Sequence, residues 1–182
     1  QVQEDEAEFS EFRGKLQPEQ QQQLDEFASG YGLTWTDYKH YGGCTVGSAA
    51  FPKEGFPGEV PTINHPLILA DDTRGAKTKI KSIQRVEKPD GKRKRMSLHV
   101  GKSPEHLTCK TGIFPAFAPR PISDMALLTG GEEKALAGLV CGFNAYSLGG
   151  ESGMAVEIAE WFLRHGIRRF VIALDNDGTG KT

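Results

Sequence analysis

Between Met125 and Leu174 one alternation repeats: a short apolar run, a glycine break, then a stretch with apolar residues at helical spacing. Met125 to Thr129 is of strand length and ends at Gly130-Gly131. Leu136, Leu139, Val140 and Phe143 then recur at the helical period, and Gly142 closes that helix. Ala145 to Leu148 is a second strand, ended by Gly149-Gly150. A second helix places Met154, Ile158, Trp161, Phe162 and His165 on one face before Gly166 stops it, and Arg168 to Leu174 is the third strand, read as buried. A β-α-β-α-β order implies a parallel sheet with right-handed crossovers. The carboxyl ends of the three strands should then share one rim, where ligands gather in open α/β sheets.

The third strand runs into Asp175-Asn176-Asp177-Gly178. Residues two apart on an extended chain point the same way, roughly 6 to 7 Å apart. Two carboxylates aimed together suit hard divalent cations, which take oxygen ligands. The same four residues are also ordinary turn chemistry. The ending Gly178-Thr179-Gly180-Lys181-Thr182 has the Gly-Lys-Thr of a phosphate-cradling loop. Such a loop needs a glycine where this chain has Asp175, whose charge repels phosphate.

A net charge of −2 conceals a strong asymmetry. Residues 1–30 hold eight acids against Arg13 and Lys15, whereas residues 74–102 hold eleven basic residues against Glu87 and Asp90. The second segment reads as a β-hairpin, Lys79 to Val86 and Arg93 to Val100 about a Pro89-Asp90-Gly91 turn. Its basic side chains are expected mainly on one open face. Lysines also protect strand edges, but an imbalance this large favours a polyanionic partner held by Lys79, Lys81, Arg85, Lys92, Arg93, Lys94, Arg95 and Lys102. No aromatic series interleaves with them, so base stacking is not evident.

Upstream, residues 1–16 read as weakly helical or disordered. Pro18 opens a helix anchored by Leu24 and Phe27, and Thr34 or Thr36 caps a short helix ended by Gly42-Gly43. Residues 47–66, with Pro52, Pro57, Pro61 and Pro66, read as irregular, and Leu67 to Leu69 as a strand. Cys44, Cys109 and Cys141 are odd in number and far apart, which favours a reducing, cytoplasmic setting over a disulfide framework. His40 with Cys44 and His106 with Cys109 are conceivable zinc ligands, although neither spacing matches the usual ribbons and fingers. No apolar run reaches membrane-spanning length.

A strand, the loop Gly130-Gly131-Glu132-Glu133-Lys134-Ala135-Leu136, a helix, a strand, a helix and a strand ending in Asp175-Asn176-Asp177 together resemble the Toprim domain of primases, topoisomerases and some nucleases. Gly32-Leu33-Thr34-Trp35 before Tyr41-Gly42, the run from Pro66, and Lys92 to Arg95 before Gly112-Ile113-Phe114 are similar to the amino-terminal half of a primase RNA-polymerase core. The resemblance implies an α/β fold, a Toprim-like parallel sheet with flanking helices. A smaller α+β subdomain carrying the basic hairpin precedes it. The implied divisions are an acidic segment 1–24, a subdomain 25–122 and a Toprim domain 123–182, left incomplete because Toprim continues with another helix and strand. It also implies a primase that makes short primers on single-stranded DNA from nucleoside triphosphates, as in the primase-helicases of phages, plasmids and mobile elements. Asp175, Asp177 and Glu132 are the implied catalytic residues and ligands of Mg²⁺ or Mn²⁺, and Lys134 the nucleotide-binding residue. The departure is Gly130, where the family carries its first glutamate. It leaves two alternatives, a non-catalytic module that binds single-stranded nucleic acid within a replicative helicase, and a Toprim nuclease.

Overall fold

The computed structural model describes residues 2–52, 56–87, 91, 93–109, 112–117, 123–148 and 155–174. Among these described residues, five helices and seven strands follow one another as α1 (Val2–Gly14), α2 (Pro18–Ser29), α3 (Trp35–Gly42), β1 (Thr45–Phe51), β2 (Phe56–Ile68), β3 (Arg74–Glu87), β4 (Arg93–Gly101), β5 (Met125–Thr129), α4 (Glu132–Val140), β6 (Ala145–Ser147), α5 (Val156–Arg164) and β7 (Arg169–Ala173). The fold is mixed α/β, with one antiparallel and one parallel sheet flanked by helices. The chain divides into two units, residues 1–65 with 78–100 and residues 66–77 with 101–182.

In the first unit, local chemistry sets the helix ends. Pro18, which lacks the N–H that a first helical turn leaves unused, opens α2, and the Gln17 N–H donates to Gln20 Oε1 at 3.0 Å. At α3, Thr34 Oγ1 accepts from the Asp37 N–H (3.2 Å) while Asp37 Oδ2 accepts from the Thr34 N–H (2.7 Å), a reciprocal capping box. Gly43, at φ 62°, ends that helix in the left-handed conformation. α1 forms a full helix, where the sequence reads as weakly helical or disordered. Tertiary contacts fix it: Phe9 stacks on Trp35 at 4.7 Å, Glu8 pairs with Lys39 at 2.7 Å, and Arg13 grips Asp25 of α2 through two hydrogen bonds.

The four-stranded sheet has the order β1-β2-β3-β4, with β1 antiparallel to β2 and Thr45 opposite Asn64. Residues 47–66, expected to be irregular, therefore supply most of two strands. Proline removes one ladder donor but keeps its carbonyl, and burial of Val60, Ile63 and Leu67 along β2 outweighs the missing bonds.

In the second unit the alternation produces the expected parallel sheet, ordered β6-β5-β7. Ala126 and Leu128 of β5 face a core with Tyr146 of β6 and Ile158, Trp161 and Phe162 of α5, to which Ile68 and Ile113 also belong. Leu127 faces the other way, toward Gly138 of α4. Phe114 exchanges backbone hydrogen bonds with Ser147 (2.9 and 2.8 Å), and Ile113 does the same with Ile68 (2.8 and 3.0 Å). β7 forms as read but is not buried. It lies at one edge of the sheet among the described residues, with Val171 47% and Ile172 66% exposed. An apolar run specifies a strand but not whether anything covers it. Among the described residues, no helix is long and apolar enough to cross a membrane.

Candidate functional site

Register aligns the carboxyl ends of the parallel strands. Thr129 of β5 stands opposite Ser147 of β6 on one side and Ala173 of β7 on the other. Asp175 and Asp177 follow Ala173 in the sequence and lie outside the described residues. The loop leaving β5 is held by the Thr129 hydroxyl, placed to donate to the carbonyls of Gly131 (3.0 Å) and Tyr146 (3.3 Å). Gly131 is the N-cap of α4, so Glu132 and Glu133 occupy its first turn, where exposed N–H groups and the helix dipole favour negative charge.

Glu132 is wholly buried, and its Oε1 accepts a hydrogen bond from Ser147 Oγ at 3.4 Å. A carboxylate is expensive to take out of water unless other groups compensate it. Its place against the end of β6 therefore sets a hard oxygen donor into the rim. Glu133 is buried beside it and Lys134 is half-buried one position on. Ser147 and Thr129 escape a reading of the sequence as site residues, although each is a hydroxyl closing a strand just before a turn. Among the described residues, no group of three or more His, Cys, Asp or Glu side chains could hold a metal. Of the zinc candidates, Cys44 is buried, its N–H bonded to the Tyr38 carbonyl at 3.1 Å, and His106 Nε2 lies 2.9 Å from Asp71 Oδ2.

The basic hairpin is not the single open face expected of it. Lys79 is buried and Lys81 half-buried, while Arg85, Arg93, Lys94 and Lys102 are exposed. Lys92 lies outside the described residues. Strand alternation sets Lys94 on the side of Met96, which belongs to a core with Phe51 and Val60, and sets Arg93 and Arg95 on the opposite side. There Arg95 lies over the Phe27 ring of α2 at 4.4 Å and its Nε donates to the Ile83 carbonyl. Arg85 and Arg93 line a cavity of about 200 Å³ with Glu19, Gln22, Gln23 and Glu26 of α2.

Among solved structures, the chain is similar to the RNA polymerase domain of the DnaG primase of Mycobacterium tuberculosis. The domain in complex with double-stranded DNA matches at TM-score 0.56 and 12% identity, and the domain alone at 0.58 and 11%. Each match covers 97% of this chain but only 65% and 66% of the neighbour, so the chain spans just under two thirds of those structures. No family model and no curated protein matches the sequence. At this identity the likeness is one of fold.

Proposed function

We propose that this chain is a primase core of the Toprim kind, joining nucleotides into short primers on a single-stranded DNA template. The observation that carries the reading is the buried Glu132 carboxylate on the carboxyl rim of a parallel sheet whose third strand leads in sequence to Asp175 and Asp177. The fold likeness to a primase polymerase domain over 97% of the chain supports it. One of those neighbours is bound to double-stranded DNA, and we carry polynucleotide binding over to this chain.

The donor set fits a hard cation. A carboxylate and a hydroxyl meet at the rim, and the following acids are carboxylates too. Glu132, Asp175 and Asp177 are the residues that hold Mg²⁺ or Mn²⁺, which when bound supplies Lewis acidity toward the primer hydroxyl and the triphosphate. Lys134, next to the acidic turn, attracts the triphosphate. Glu132 would also take up or orient a proton at its Oε atoms. The exposed Arg85, Arg93, Lys94 and Lys102, with the half-buried Lys81 and with Lys92, hold the template through its phosphates, whereas the buried Lys79 and the packed Arg95 support the strands that carry them. A helicase, as a further domain or a partner, would expose the single-stranded template, and the setting is cytoplasmic.

A second reading, a single-strand-binding module without catalysis, is favoured by glycine at 130 and by the complete burial of Glu132, which suits a structural role. Incubation with single-stranded template, nucleotides and Mg²⁺ or Mn²⁺ separates the possibilities. Short primers that vanish in Asp175→Ala with Asp177→Ala support the proposal. Binding without products supports the inert module, and template cleavage supports a nuclease. Primer synthesis that survives the double substitution refutes the metal assignment.

A further inference from the structure

Glu19, Gln22, Gln23 and Glu26 stand three, four and seven positions apart, so they form one face of α2. That face is one wall of the 200 Å³ cavity, and Arg85 of β3 with Arg93 of β4 forms the other. Neither arginine makes a side-chain hydrogen bond or ion pair among the described residues. The acids are occupied within their own helix: Gln23 Nε2 donates to Glu19 Oε1 at 3.4 Å and Gln22 Nε2 to Glu26 Oε1 at 3.2 Å. Two carboxylates thus face two guanidiniums across a gap without closing on them.

Attraction between these charges is not what positions the helix. Leu24 and Phe27 are buried, Arg95 lies over Phe27, the Tyr38 hydroxyl donates to the Phe27 carbonyl at 3.2 Å, and Arg13 holds Asp25. The acidic face is therefore presented to the arginine pair by packing that does not depend on it. A phosphate entering the gap would meet two fixed negative charges as well as the two positive ones.

We propose that α2 is a built-in electrostatic competitor, an autoinhibitory contact that weakens the hold of Arg85 and Arg93 on polynucleotide phosphate. The proposal rests on the reading of the hairpin as the template-binding element. It adds that the acidic, glutamine-rich amino end sets how tightly the template is held. A partner or modification that screens this face would raise affinity without touching the hairpin.

The test is equilibrium binding of a labelled single-stranded oligo-dT, followed by anisotropy, to the whole chain and three variants. These are Glu19→Gln with Glu26→Gln, Arg85→Gln with Arg93→Gln, and all four together. Glutamine is nearly as good a helix former as glutamate, so circular dichroism should be unchanged. The acid variant is expected to bind about 3- to 10-fold tighter at low salt, with the gain fading as salt shortens the range of the charges. The arginine variant should bind more weakly, and in its background the acid substitutions should have little effect. An acid variant no tighter than the parent, or a gain undiminished without the arginines, overturns this inference alone. A chain that binds no oligonucleotide in any form overturns the template reading together with it.

Discussion

The Ser147 hydroxyl reaches the Glu132 carboxylate at 3.4 Å, joining the end of β6 to the first turn of α4 within the rim where β5 and β7 also end. If Glu132 serves metal binding or proton transfer, Glu132→Gln keeps its shape while losing the charge. Primer synthesis should then fall by about 100-fold or more, with the thermal unfolding midpoint nearly unchanged. Ser147→Ala removes one donor to a charged group and should lower stability by about 1 kcal/mol, with a smaller loss of synthesis. Rates of primer formation and denaturant titrations of both variants give the answer. Equal synthesis by Glu132→Gln and the parent would assign Glu132 to structure.

The capping box of α3 supplies a stability test independent of function. Thr34→Ala removes the oxygen that accepts from the Asp37 N–H and should destabilise the chain by about 1 kcal/mol. Asp37→Asn keeps an acceptor but loses the favourable charge at the helix start, so its effect should be smaller. Urea unfolding at neutral pH measures both, and a Thr34→Ala curve that overlays the parent contradicts the assignment.

What the sequence made legible was what depends on near neighbours. α2 and α3 could be read because Pro18, a capping threonine at 34 or 36, and Gly42-Gly43 act within a single turn of the helices they bound, although the partnership of Thr34 with Asp37 emerged only in the structure. The parallel sheet could be read because the run length, glycine breaks and helical spacing from 125 to 174 agree with one another. Residues 47–66 could not, because their prolines favour loops locally while burial of Val60 and Ile63 is a property of the assembled sheet. The same limit applies to the site. Glu132 stands out as an acid after a strand, but the Ser147 hydroxyl that meets it comes from fifteen positions away. The basic residues of the hairpin stand out by charge. That α2 lies over Arg95 and faces Arg85 and Arg93 follows only from packing between distant segments.

Gly138 sits where α4 meets the parallel sheet. A Cβ built there would lie 2.6 Å from the Ala145 Cβ and 3.3 Å from Leu127 Cδ2. Alanine in a helix interior normally gains up to about 1 kcal/mol over glycine, but forcing atoms into a packed interface costs about 1 to 3 kcal/mol. Gly138→Ala should therefore be net destabilising, and Gly138→Leu more so. Because the contact lies on the strands that carry the rim, synthesis by Gly138→Leu should fall together with stability. A stabilised Gly138→Ala would show that α4 can move away from β6 at little cost.

Acid should weaken the attachment of β7 to β5. The Arg169 guanidinium hydrogen-bonds the Asp124 carboxylate and holds its pKa below the usual carboxylate range, against a smaller opposing effect of desolvation. The Asp124 carbonyl also accepts the N–H groups of Arg168 and Arg169, so the pair sits where the two strands begin. A carboxyl whose pKa is lowered by folding binds protons more readily in the unfolded chain. Its contribution is therefore present above the unfolded value of about 3.9 and is lost as the pH falls through the folded one. Asp124→Asn should be less stable than the parent at neutral pH, and the two should converge as the medium becomes more acidic than about pH 4. Denaturant titrations at stepped pH follow the gap, and a gap that stays constant into acid would mean that Asp124 acts through its backbone alone.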